Sequence, residues 1–226
     1  MSFPRKRAIV PFRGNLLRSP IKSGMTERNT MQKQRALILL KPDAVQRGLI
    51  GKITKRFEQV GLKIIGLKCL WAKEQQIVDH YPSTDAWFKK VGERTLTNYA
   101  KKGLDAKKVF ATQDAVSIGK TVKQWLIKYL QESPVFVFVV EGFDTIEVAR
   151  KLCGNTIPLL ANPGTIRGDF THDTIDLANE QNRPLRNLIH ASDTLEDAQK
   201  EIRVWFEDGK LFEYERADEN LLFKKP

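Results

Sequence analysis

The run Val135-Phe136-Val137-Phe138-Val139-Val140 restricts what this chain can fold into more than any other segment. Six consecutive apolar residues, rich in β-branched and aromatic types, are too few to cross a bilayer and too uniform for a strand with one wet face. They predict a central strand over Val135 to Glu141, buried on both sides. A second apolar strand, Ala36 to Leu40, must lie near it, because one strand cannot cover itself. Around these two the sequence predicts a helix from Ile50 to Val60 ending at Gly61, a strand from Leu62 to Ala72, a short helix from Glu74 to Tyr81, and a helix capped by Asp144 that reaches Cys153. The last strand runs into His190 and is followed by a helix to Phe206.

Strand, helix, strand, strand, helix, strand is the order of a split βαβ unit, so an α+β, ferredoxin-like antiparallel sheet is expected, with helices on one face. Two segments are surplus to it. Residues 82–119 carry Trp87, Phe88, Val91 and Tyr99 at helical spacing and lead into a stronger helix with Ile118, Val122, Trp125, Leu126 and Tyr129. Thr171 to Leu185 is polar enough for a surface loop. The main domain is expected over 35–226.

The net charge of +11 suggests a nucleic-acid binder until its distribution is read. Residues 1–30 hold seven basic groups against Glu27 alone, a net of +6 that leaves only +5 on the other 196 residues. That balance suits a protein whose ligands are polyphosphates. Rich in Arg, Ser and Pro, the stretch over 1–34 is expected to be a disordered extension, and its acid-poor start also fits a mitochondrial targeting segment. Met25 and Met31 leave a downstream start open. Cys69 and Cys153 lie inside apolar segments and are expected as small core residues in a reducing compartment, with the cytoplasm the expected location.

His190 is one of three histidines. It ends a short apolar run and precedes Ser192-Asp193-Thr194, an N-cap cluster. In the helix that follows, apolar Leu195, Ala198, Ile202 and Trp205 put Glu201 at the edge of the buried face, within reach of the strand end. A core histidine would satisfy the same pattern, so other segments must decide. Lys41-Pro42-Asp43-Ala44-Val45-Gln46-Arg47-Gly48 follows the first strand, and Pro163-Gly164-Thr165-Ile166-Arg167-Gly168-Asp169-Phe170 forms a second compact signature. With Asn187 to Asp193, these motifs in this order resemble the nucleoside diphosphate kinases over roughly residues 35–81 and 122–206.

The resemblance implies transfer of a terminal phosphate between nucleoside triphosphates and diphosphates through a phosphohistidine at His190, with Mg2+ held mainly by nucleotide phosphates and water. It implies Glu201 as orienter of the imidazole and Ser192 as a support. Lys41 would reach the transferred phosphate and the ribose, with Tyr81 near the same phosphate. Arg150, Thr156 and Arg167 would grip the inner phosphates, the last two eleven residues apart as in the family, and Asn187 would bond the ribose 3′-hydroxyl. It also implies a homo-oligomer, tetramer or hexamer, with the loop from Gly154 to Gly168 near subunit contacts, and no membrane partner. Gly48-Leu-Ile-Gly51-Lys52 lacks the spacing of a P-loop, so side chains must hold the phosphates. Free imidazole, with a pKa of about 6.5, is largely neutral and nucleophilic at physiological pH.

The chain departs from the family pattern at Ala191 and Ala44, both usually glycine, and at Ile157-Pro158, where Asn usually precedes the proline. The base-stacking aromatic falls near Val122, which leaves Trp87, Phe88 or Trp125 to supply the clamp. The competing readings are a nucleic-acid binder using the basic tail and an inactive scaffold on the same fold. Intact His190, Lys41 and Arg167 speak against the scaffold, and the lack of a basic run interleaved with aromatics speaks against the nucleic-acid binder.

Overall fold

The computed structural model describes residues 32–101, 103–206, 209–219 and 221, so the expected disorder of the first thirty residues lies outside the described part. The expected central strand is β3 (Val135–Gly142), paired antiparallel with β1 (Gln34–Leu40) and with β2 (Lys63–Leu70). A short β4 (Ile189–Ala191) completes the order β2-β3-β1-β4 by pairing antiparallel with β1. β1 and β2 thus run parallel with β3 between them, and β3 and β4 run parallel with β1 between them. These are the interleaved split βαβ units of a ferredoxin-like sheet.

Helices cover both faces, not one. Ala36, Ile38, Leu40, Phe138 and Val140 project to a layer formed by α2 (Ile50–Gln59) and α7 (Thr145–Cys153), through Ile53, Phe57, Ala149 and Cys153. Phe57 meets Phe138 edge to face at 5.3 Å, and burying a Phe side chain is worth about 1.5–3 kcal/mol. Leu37, Leu39, Val137 and Val139 project the other way, onto α3 (Glu74–His80), α6 (Ala115–Leu130) and α10 (Leu195–Trp205), through Ile77, Ile127, Leu130 and Trp205. The cause is in the sequence: strands apolar at every position need cover on both sides.

Between α3 and α6 run α4 (Asp85–Lys101) and α5 (Ala106–Phe110). α4 crosses α6 at a reciprocal pair of glycines: a Cβ on Gly92 would stand 1.8 Å from the Ala115 carbonyl oxygen, and one on Gly119 would stand 2.1 Å from that of Phe88. Only glycine lets the two backbones approach so closely. The expected loop at Thr171 to Leu185 contains a helix (Ile175–Glu180) begun by the Thr174 hydroxyl, which accepts from Leu177 N.

Two local expectations are overturned. Asp144 makes no capping bond and sits in the left-handed region at φ 47°, turning the chain rather than capping it. Cys69 is exposed, because β2 is an edge strand whose later residues alternate outward; Cys153 is buried, and neither forms a disulfide. Among the described residues no helix is long and apolar enough to cross a membrane.

Candidate functional site

The register of β4 opposes His190 to Leu39, so its ring lies on the face covered by α3 and α10. There Glu201, buried at 6% exposure, places one carboxylate oxygen 2.8 Å from His190 Nε2 and accepts from Ser192 Oγ on the other at 2.6 Å. Ser192 is fixed in turn, since its Oγ accepts from Leu37 N at 3.0 Å and its own N donates to the Leu37 carbonyl. Thr194, rather than Ser192, caps α10, accepting from Asp197 N. A carboxylate only accepts, so the proton shared with His190 rides on Nε2 and the lone pair falls to Nδ1. His190 therefore presents an oriented nucleophilic nitrogen.

His80, which sequence reasoning left aside, stands against that imidazole, edge to face with ring centroids 4.5 Å apart. Burial, then the neighbouring His190 and Lys41, hold its pKa well below the usual histidine value, so it is neutral. His80, His190 and Glu201 offer ligand atoms within 4.8 Å of one another. They do not suit a metal, because Trp205 Nε1 donates to His80 Nδ1 and so leaves the proton on Nε2 of that ring. The local signal for His80 was its place one residue before Tyr81.

A second group is built at the ends of β1 and β4. A short helix α1 (Pro42–Gln46) follows Lys41 and directs Asp43 inward. The Asp43 carboxylate accepts from Tyr129 Oη at 2.6 Å and from Leu188 N at 3.1 Å. Leu188 is held at φ 67°, a left-handed conformation costly for a branched side chain, and the turn it makes swings Asn187 under Lys41. Lys41 Nζ donates to Asn187 Oδ1 at 2.6 Å, and Asn187 Nδ2 donates to the Thr156 carbonyl at 2.8 Å. Asp43 and Tyr129 were not singled out from sequence; their role is to fix this turn.

Arg167 projects from α8 (Ile166–Phe170) and is also buried. Its guanidinium donates to the carbonyls of Asn187, Gly154 and Ile189. Five N–H bonds are available to an arginine, so two remain for a ligand. Arg150 is half exposed and pairs with Asp193 at the cleft mouth, while the Thr156 side chain is exposed. Burial pushes the Tyr81 phenol up, with Glu201 adding to it, so Tyr81 is a proton-bearing donor.

His190, Lys41, Tyr81, Asn187, Arg150, Thr156 and Arg167 line one cleft of about 460 Å³, while Glu201 and Ser192 hold the imidazole from outside that lining. Lys41, Lys90, Arg94, Arg150, Arg167 and Arg183 border it, and Asp193 is the one acid among the lining residues. Trp87 and Trp125 reach it, whereas Phe88 packs into the α4–α6 crossing. Burial, and then Arg167, lower the Lys41 pKa to about 8, and burial pushes the Cys153 thiol up to about 11.

A nucleophilic imidazole facing a strongly cationic cleft on a split βαβ sheet defines a phosphotransferase. The nucleoside diphosphate kinase family pattern matches residues 34–123 and 113–211. A nucleoside diphosphate kinase of Pyrobaculum aerophilum is 43% identical over 183 residues, 81% of this chain and 100% of the relative, and one of Borreliella burgdorferi is 42% identical over 191 residues, 84% and 96%. A crystal structure of the P. aerophilum NDP kinase superposes with a TM-score of 0.79 over 80% of this chain and 100% of that one, at 42% identity. One of the Borrelia enzyme, described as a transition-state mimic with bound vanadate and ADP, superposes with a TM-score of 0.66 at 40% identity, covering 85% of this chain and 98% of that one. This chain belongs to the nucleoside diphosphate kinase family.

Proposed function

We propose that the chain transfers the terminal phosphate of a nucleoside triphosphate, mainly ATP, to nucleoside diphosphates in two steps through His190. The observation that carries this reading is the 2.8 Å contact between His190 Nε2 and Glu201 beside a cleft bordered by cations. Nδ1 attacks the terminal phosphorus, an N–P bond forms as the bond from phosphorus to the bridging oxygen breaks, and the diphosphate leaves. An acceptor diphosphate then takes the phosphoryl group by the reverse route. Positive charge rising on the imidazolium is balanced by Glu201, and Lys41 with the two remaining donors of Arg167 meets charge on the phosphoryl oxygens. Trp87 and Trp125 offer faces on which any base can stack.

Magnesium neutralises phosphate charge when bound with the nucleotide. The cleft suits an ion that arrives with its own phosphate ligands, because Asp193 is the one carboxylate in its lining. Incubation with ATP labelled at the γ-phosphate should give a labelled protein stable in base and lost in acid, and His190→Ala should lack both label and transfer. An acid-stable label would refute the phosphohistidine.

A symmetric homo-oligomer is the assembly we propose. Supporting it, Leu159 and Leu160 stand 70% and 60% exposed in the loop from Gly154 to Gly168, and Trp71 follows the edge strand at 64%. Apolar groups so exposed on a loop and a sheet edge favour contact with a second copy. A mass of one 25.9 kDa chain at micromolar concentration would refute it.

A further inference from the structure

Lys123, on α6, is buried at 5% exposure, and its ammonium points at the end of α3. It donates to the carbonyls of Val78 and Tyr81 at 3.1 Å, to that of Pro82 at 3.3 Å, and to Ser83 Oγ at 2.5 Å. All four contacts are neutral oxygens. A buried ammonium is costly unless its donors are met, so these oxygens hold the lysine as firmly as it holds them. The carbonyls at a helix C-terminus carry partial negative charge, which suits a cation there.

The gathered stretch matters for the reaction. Tyr81 lies inside it and projects to the cleft, its ring 4.8 Å from His80 and 6.3 Å from Trp87. Thr84, next in the chain, begins α4 by accepting from Trp87 N, and the Lys123 ammonium lies 5.9 Å from the Phe88 ring of the same helix. One side chain therefore joins the end of α3, the start of α4 and the middle of α6.

We propose that Lys123 is a positioning residue for phosphoryl transfer, which fixes the Tyr81 hydroxyl in the cleft by gathering the backbone around it and so makes the surplus helices part of the catalytic frame. This rests on the phosphotransfer reading above. Lys123 itself does not line the cleft.

The test is a double-mutant cycle on the rate at which saturating labelled ATP phosphorylates His190 in a single turnover. Lys123→Met and Tyr81→Phe should each slow that step about tenfold, since small misplacements of a phosphate-contacting group are costly. In the Tyr81→Phe background, Lys123→Met should add less than about twofold, because the hydroxyl it positions is gone. Melting temperature, by contrast, should fall by the same amount in both backgrounds. Equal slowing in the two backgrounds, or a wild-type rate in Lys123→Met, would overturn the proposal. If Lys123→Met does not fold, Ser83→Ala takes its place in the same cycle, with a smaller effect and the same decision. Failure of the wild-type protein to take label would instead sink the phosphotransfer reading.

Discussion

Lys41 is buried, hydrogen-bonded to Asn187 and faced by Arg167, and the cost of that setting is visible as a pKa near 8 rather than 10.5. At about 1.4 kcal/mol per unit, the drop represents about 3 kcal/mol by which the free site disfavours the ammonium. A bound phosphate restores what burial removed. The free enzyme should therefore lose nucleotide binding as pH rises through about 8, and kcat/KM should fall about tenfold per unit beyond it. Turnover at saturating substrate should hold to higher pH, because the phosphate raises the lysine pKa once bound. Other strongly shifted groups do not interfere in this range: in the cleft the Cys153 thiol titrates near 11 and Tyr81 lies higher, and behind His190 the pKa of His80 is held well below the usual histidine value.

The assay is kcat/KM between pH 7 and 9.5 at fixed free magnesium, with Lys41→Arg as the comparison. Arginine keeps its charge throughout, so the variant, however slow, should show no alkaline limb. A flat wild-type profile, or the same limb in Lys41→Arg, would refute the reasoning. Stability should move the other way. The unfolded lysine keeps its proton to about 10.4 and the folded one releases it near 8, so between these values the unfolded state binds more protons. The contribution of Lys41 to stability then rises with pH while binding is lost.

Glu201→Gln, which keeps an acceptor but removes the charge, should slow His190 phosphorylation by about 10–100-fold with the fold intact by circular dichroism, and an unchanged rate would deny Glu201 its role. Arg167→Lys should lower stability by about 2–4 kcal/mol in urea titration, since the three carbonyls are met by three different nitrogens of a planar fork that a single ammonium nitrogen cannot replace, whereas half-exposed Arg150→Lys should change KM with little effect on stability; equal stability in both variants would contradict the geometry. Gly92→Ala should force α4 from α6 at a cost of about 1–3 kcal/mol, seen as a lower Tm. An unshifted Tm would mean that the crossing is looser than 1.8 Å implies.

The sheet was legible because its signal is local. Apolar runs at Ala36–Leu40 and Val135–Val140 announce strands whatever surrounds them, and His190 followed by a capped amphipathic helix announces a strand end under Glu201. What stayed hidden depends on partners distant in sequence. That helices cover both faces follows from counting apolar positions on both sides of β1 and β3, yet which helix covers which face is decided by packing. Asp43 reads as one acid in a short motif until Leu188 and Tyr129, 145 and 86 residues away, arrive on its two oxygens.

Lys41, Asn187 and Arg167 are linked through backbone that has little freedom left: Leu188 sits left-handed because Asp43 takes its N–H and Lys41 N takes its carbonyl. Strain of this kind persists only where several bonds over-determine it, and here Lys41 and Asp43 hold Leu188 itself while Arg167 holds the carbonyls on either side of it, those of Asn187 and Ile189. A cationic cleft assembled in this way is rigid before any anion arrives, so little reorganisation is required when charge develops on a phosphoryl group. Arg150 and Asp193 differ, being exposed and tied mainly to each other. An anion entering the cleft would compete with Asp193 for Arg150, whereas Lys41 and Arg167 are held by buried hydrogen bonds of their own.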